Sequence, residues 1–194
     1  MNLGKYDCST GLVHVLYRSG DLVVRNARPV DTAFIDLLQK QNSYAVGFIQ
    51  QTVWDRYVFG GERNFVVFIV EKNDDMVGYV LVTPGRGIGY VRIQQIAVRD
   101  DARRLEYGTA LIAVVRQFCV EFGRAGARLR CRVDLEANEF WRQLGFRKHG
   151  LWQEGRRNHV GMRASADINL WEIDLNHHLP RLFDVSPLHV EPPS

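Results

Sequence analysis

One stretch of this chain limits its possible folds more than any other. Tyr90 to Val98 alternates apolar and polar residues as a strand does, and Tyr107 to Phe122 is a long amphipathic helix. Arg128 to Val133 alternates again, with Leu129, Cys131 and Val133 set against three arginines. The helix stripe runs through Leu111, Ile112, Val114, Val115, Phe118, Cys119 and Phe122, and Gly123 is a natural stop. A strand, a crossover helix and a second strand in one sheet must run parallel, with a right-handed connection. Before this step the pattern is antiparallel. Phe65 to Val70 and Met76 to Val82 flank the turn Asn73-Asp74-Asp75, and Pro84 to Gly87 makes the next turn. The expected architecture is therefore mixed α/β, with a sheet that changes from antiparallel to parallel order. Ligands bind in crevices at such switch points.

The flanking segments are simpler. Residues 12–28 read as two short strands around Ser19-Gly20-Asp21. Residues 30–42 have helical spacing, with Asp31 as the N-cap, and a second helix is expected from Val46 to Tyr57. A short helix spans 135–144 and stops at Gly145. Phe146 to Trp152 and Ile168 to Ile173 are the last two strands. The expected division is an extension at 1–21 carrying an extra strand, one domain at 22–175, and a tail at 176–194 that holds four prolines.

A chain of 194 residues is long enough to bury a core without disulfides or metal. Its cysteines, Cys8, Cys119 and Cys131, are odd in number and widely spaced, which argues against a disulfide framework and a zinc site. No metal is expected. No apolar run approaches the roughly 20 residues of a membrane span, and the N-terminus lacks the pattern of a signal peptide. A cytoplasmic location with no membrane partner is the expectation. The net charge of +3 does not mark a nucleic-acid binder. Charge is nevertheless uneven, since 124–163 holds ten Lys/Arg against four Asp/Glu.

The chemistry concentrates between Ile93 and Leu111. A strand ends at Val98, a charged loop follows, and Arg103 and Arg104 precede a glycine at a helix start. A helix N-terminus offers unpaired N–H groups and a positive dipole end, and Gly108 permits close approach to the backbone. The arginines add charge-assisted bonds to phosphate oxygens. This stretch resembles the acetyl-CoA signature of the GNAT (GCN5-related) N-acetyltransferases, Arg/Gln-x-x-Gly-x-Gly/Ala, with Arg103 and Gly108 on its first and last positions. ANEFWRQLGFRKHG, Ala137 to Gly150, resembles the helix–strand junction of the same family. The resemblance covers roughly Leu22 to Leu175, and the two elements together are far more specific than either alone.

The resemblance implies a splayed sheet binding acetyl-CoA or another acyl-CoA. Ile96, Ala97 and Val98 would pair with the pantetheine arm. Arg103, Arg104, Leu105, Glu106, Tyr107, Gly108 and Thr109 would hold the pyrophosphate, and Asn138 and Trp141 would flank the thioester arm. It implies acyl transfer to a primary amine on a small molecule or peptide, by direct attack in a ternary complex. Dimers are common in the family. The chain departs from the pattern at two places. Glu106 replaces the middle glycine, and its carboxylate is expected to point outward. Trp141 replaces the tyrosine that protonates the departing thiolate, and indole is no general acid.

No base is evident. Tyr90, Arg92 and Gln94 are expected to line the cleft, with Gln94 able to hold a water. Asp134, at the end of the next strand, is the nearest carboxylate. Tyr44, Phe48, Trp54, Tyr57 and Phe59 fit either an acceptor pocket or simple packing, and the arginines at 128, 130 and 132 fit either a solvent face or an anion site. The basic loop 153–167 is the expected acceptor selector. Gly85 to Gly89 reads as a hairpin turn, Cys119 and Cys131 as core, and His149 and His177-His178 as surface. Two rivals to the enzyme reading remain, a CoA-binding protein without turnover and a modifier of nucleic-acid bases.

Overall fold

The computed structural model describes residues 4–60, 65–83, 89–104, 106–152 and 167–175. Eight strands form one sheet: β1 Val15–Ser19, β2 Leu22–Asn26, β3 Val66–Lys72, β4 Asp75–Thr83, β5 Val91–Val98, β6 Gly126–Arg132, β7 Arg147–Trp152 and β8 Ile168–Asp174. Their spatial order is β1-β2-β3-β4-β5-β6-β8-β7. Every neighbouring pair is antiparallel except β5 and β6, which run parallel as the crossover requires. The helices are α1 Thr32–Gln41, α2 Ser43–Val46, α3 Gln51–Val53, α4 Tyr107–Glu121 and α5 Ala137–Gln143. A π-helical turn, Trp54–Phe59, continues α3.

The centre of the sheet is covered on both faces, so β3 and β4 carry near-continuous apolar runs. Phe68 packs with Phe118 of α4 and with Tyr6 of the N-terminal segment. Tyr79, on the opposite face by strand alternation, packs on Trp54. Asn73 and Asp74 both adopt positive φ, 48° and 64°, which gives β3–β4 the mirror-image two-residue turn that hairpin twist favours. Past the end of α4, Gly123 takes φ +58°. The N–H of Arg124 reaches the Cys119 carbonyl at 2.8 Å and that of Gly123 reaches Val120 at 3.1 Å, closing the last turn.

Two helical expectations are corrected. Asp31 precedes α1 but its side chain does not cap that helix. The carboxylate instead accepts from both terminal nitrogens of Arg25, at 2.6 and 3.1 Å, and from the Arg28 N–H at 2.7 Å. Arg25 also donates to Glu71 at 2.7 Å, so one buried guanidinium ties β2 to β3 and to the start of α1. Burial alone would raise the Asp31 carboxyl, but the bonds from Arg25 and Arg28 overcome it and hold it below the usual range. The second helix is also broken. Gly47 leaves α2 at φ +75°, ψ −172°, a conformation reserved for glycine. The Gln39 amide then grips the Ile49 backbone from both sides, at 2.9 and 3.1 Å. Residues 47–50 therefore stay out of helix, and helix resumes only at Gln51.

Asp31→Asn is expected to cost roughly 3–5 kcal/mol, because it strands part of a buried guanidinium. Since the Asp31 pKa is depressed in the fold, its contribution is complete above about pH 4 and fades below it. Denaturant midpoints across pH check this: the gap between wild type and variant should narrow in acid. Gly126→Ala tests a second constraint, since a Cβ there would stand 1.9 Å from the Ile173 carbonyl oxygen. A loss of about 3 kcal/mol or more is expected by urea unfolding.

Candidate active site at the splay of β5 and β6

The parallel pair is short. Only Val91 opposite Ala127 and Arg92 opposite Arg128 are in register, after which the strands diverge. From Ile93 to Val98, the edge of β5 toward β6 has no strand partner among the described residues. A bulge accompanies the divergence. Leu81 pairs with Gln95 and Val82 with Ile93, leaving Gln94 as the extra residue. Gln94 is exposed, and its amide donates to the Thr83 hydroxyl at 2.8 Å. Gln95 is buried. It accepts from the Tyr79 hydroxyl at 3.0 Å and donates to the Val46 carbonyl at 3.2 Å, which pins α2 over the splay.

Beyond Val98 the chain enters a 3-10 turn, Asp100–Ala102, braced by Arg99 between Asp75 and Asp101 at 2.6 Å each. Arg103 is held by Asp100 at 2.8 Å and by the Asn42 side chain. Arg104 takes φ +63° and is largely exposed, 3.6 Å from the equally exposed Glu136. Glu106 stands at the N-cap of α4, exposed and without a side-chain cap bond. The first intrahelical bond runs from Ala110 to Glu106, so helix geometry leaves the Tyr107, Gly108 and Thr109 N–H groups without partners in their own helix. Tyr107 is buried and Thr109 half-buried. Leu105 lies outside the described residues, as do 84–88 and the loop 153–166.

Several anticipated site residues have other duties. A Cβ at Gly108 would lie 3.1 Å from the Phe140 ring, so this glycine also lets α4 and α5 pack closely. Trp141 is buried and packs edge-on against Phe140 and Phe146. The Asn138 amide is fully engaged. It donates to the carbonyls of Arg132 at 2.7 Å and Leu135 at 2.8 Å, and accepts from Asn169 at 2.9 Å and Trp171 at 3.0 Å. Both residues stabilise the junction that carries the site without offering a free polar group. Along β5, Ile96 and Val98 are half-buried and Ala97 is buried.

Asp134 is exposed but tied down. It receives Arg132 at 3.0 and 3.1 Å and the Tyr44 hydroxyl at 2.6 Å. The Arg132 contact first, and the Tyr44 bond second, hold its carboxyl far below the usual range, which makes it a poor proton acceptor. The Arg132 guanidinium also lies 4.2 Å from the centre of the Tyr44 ring. This clasp joins α2 to the end of β6 and was invisible in the sequence, because its members are about ninety positions apart. Between clasp and splay lies a cleft of about 380 Å³, whose lining includes Tyr44, Arg92, Gln94, Arg130, Arg132 and Ile168. Arg92 and Gln94 thus meet the expectation for the cleft. Tyr90 instead lies beneath Arg128, 3.9 Å from ring centre to guanidinium carbon. Of the aromatic set, Tyr44 lines the cleft, Phe48 is exposed and Trp54 is buried core. Burial pushes the Cys119 thiol up to about 12 and Cys131 up to about 11, so both are inert core groups.

The family model described as an acetyltransferase (GNAT) domain matches residues 63–148 of this chain. No curated protein matches it in sequence. Among solved structures it is similar to the ribosomal-protein-S18-alanine N-acetyltransferase from Escherichia coli, with TM-score 0.62 and 18% identity over 84% of this chain and 99% of that one. It is similar to Arabidopsis thaliana NAA60 in complex with acetyl-CoA, with TM-score 0.64 and 15% identity over 79% of this chain and 99% of that one. Ard1 from Thermoplasma volcanium gives 0.63 and 22%, over 80% and 99%. At these identities the likeness is one of fold. Among the described residues there is no His/Cys/Asp/Glu group that could hold a metal, and no helix long and apolar enough to cross a membrane.

The clasp makes a direct prediction. Arg132→Gln should raise the Asp134 pKa more than Tyr44→Phe does, since the guanidinium contact is the larger influence. A carboxyl carbon NMR titration reads both, and equal shifts would contradict this account.

Proposed function

We propose that the protein is an acyl-CoA-dependent N-acyltransferase, moving an acetyl group from acetyl-CoA to a primary amine in a ternary complex. The observation that carries this reading is the edge of β5 from Ile93 to Val98, which has no strand partner among the described residues and leads into the N-terminus of α4. An extended amide chain such as pantetheine can pair with that edge around Ile96, Ala97 and Val98. The pyrophosphate would meet Arg103, Arg104 and the N–H groups of Glu106 to Thr109, with Leu105 in the same loop. The amine nitrogen attacks the thioester carbonyl carbon. The C–N bond forms, the C–S bond breaks, and the proton lost by nitrogen ends on the CoA thiol. Orientation of the two reactants supplies much of the rate, and Gln94 is suited to position a water that relays the proton. Asp134 could take part only after release from its clasp. Asn138 and Trp141 support the site from behind.

The catalytic domain is placed at 22–175, with 1–21 as an extension and 176–194 as a tail. Packing of Tyr6 against Phe68 and Phe118 supports treating the extension as integral to the fold. A second reading, CoA binding without turnover, draws support from the engaged Asp134 and the buried Trp141.

Calorimetry with acetyl-CoA, CoA and desulfo-CoA tests the cofactor site. Arg103→Glu combined with Arg104→Glu is expected to weaken binding about 100-fold or more, given ~1.5 kcal/mol for each charged bond lost. No binding at millimolar CoA would reject the acyltransferase reading. Binding with no thiol release across a broad amine panel would favour the silent one.

A further inference from the structure

The cleft beside the β5 bulge has an unbalanced charge. Three guanidiniums line it, from Arg92, Arg130 and Arg132. Arg132 is neutralised by Asp134 at 3.0 Å. Arg128, on the same strand, is neutralised by Glu172. Arg92 and Arg130 have no carboxylate within ion-pair distance among the described residues. Arg130 rests against the Trp152 ring, 5.0 Å from its centre, which fixes its direction without cancelling its charge. Arg92 is half-buried on β5, and both its burial and the Arg130 charge lower its pKa. Two cations that face one cavity and repel each other are costly in an empty site. An anion between them removes that cost.

The anion is not the pyrophosphate of the cofactor. Val98 is six residue steps along the strand from Arg92, a span of roughly 20 Å at ~3.3 Å per residue, and the phosphate loop lies beyond Val98. The arginines stand at the other end of the splay, where an acceptor would enter. Planar guanidinium forks match carboxylate and phosphate oxygens in paired hydrogen bonds.

We infer that the acceptor is a primary amine carrying a carboxylate or phosphate group, which Arg92 and Arg130 bind in the cleft while Arg132 and Tyr44 close its rim. This inference rests on the acyltransferase reading above and names its substrate class. The attacking nitrogen then lies a few bonds from the anionic group, near the bulge at Gln94.

Matched acceptors provide the test. Thiol release from acetyl-CoA is followed with phosphoethanolamine against ethanolamine, and with β-alanine against β-alaninamide. The anionic member of at least one pair should have a kcat/KM ten-fold or more above its neutral partner. Arg92→Gln and Arg130→Gln should each erase that preference through KM, with the Kd for CoA as the control for folding. Preference in the first pair alone identifies phosphate, and in the second alone carboxylate. Equal rates within both pairs overturn the inference and leave the acyltransferase reading standing. Should turnover be absent throughout, calorimetry of phosphoethanolamine and β-alanine onto the CoA complex decides. Saturable binding of either, lost in Arg92→Gln, supports the inference, and no saturable heat overturns it. Failure to bind CoA at all overturns both.

Discussion

The proposed site depends on how briefly β5 and β6 stay together. Two register pairs, Val91 with Ala127 and Arg92 with Arg128, are enough to fix the strands as parallel neighbours. They are too few to seal the sheet. The unpaired backbone that follows would be a liability in an ordinary interior, because buried N–H and C=O groups need partners. At the mouth of a cleft the same groups are a recognition surface, free to accept an extended ligand as though it were another strand.

The divergence is built in from both sides. On the β5 side, the extra residue at Gln94 changes the course of the strand, and the buried Gln95 anchors α2 above the opening. On the β6 side, antiparallel pairing with β8 runs the whole length from Gly126 opposite Asp174 to Arg132 opposite Ile168. That ladder commits β6 to β8 and away from β5. A Cβ at Gly126 would meet the Ile173 carbonyl of β8 and the Tyr90 ring, and Arg128 stacks on that ring beside the last register pair. The clasp of Tyr44, Arg132 and Asp134 then spans the gap from above. Strand divergence is thus held by a commitment to other neighbours, with no need for strain.

The sheet and its long crossover were legible because they follow from periodicity, and the start of α4 because glycine and arginine at a helix head have few other uses. What could not be read depends on residues distant in sequence. The Tyr44–Arg132–Asp134 cluster needs α2 folded over the end of β6. Asp31 reads locally as a cap, yet Arg25 six positions earlier claims its carboxylate across the fold. Gly108 reads as space for a ligand, and no local pattern shows that the Phe140 ring, on another helix, packs beside it. The break after α2 did have a local signal, since Gly47 stands inside an aromatic-rich run that otherwise looks helical. Its effect is fixed by Gln39 gripping Ile49, which no local pattern reveals.

Charge in the cleft bears on the missing base. An amine in water is mostly protonated at neutral pH, and a protonated amine cannot attack. Enzymes commonly solve this with a carboxylate or histidine, but the carboxylate nearest this cleft is locked to Arg132 and Tyr44. The uncompensated charges of Arg92 and Arg130 act in the right direction without accepting a proton. Nearby positive charge disfavours the ammonium form and lowers the amine pKa. An anionic group on the acceptor would satisfy part of this charge and orient the amine, while a net positive field remained at the nitrogen. Two arginines and a carboxylate leave an excess of one positive charge, whereas a phosphate dianion leaves none, so this effect belongs to a carboxylate acceptor. On that account the cleft selects its substrate and eases deprotonation with the same two residues, and a strong general base becomes less necessary than its absence first suggests.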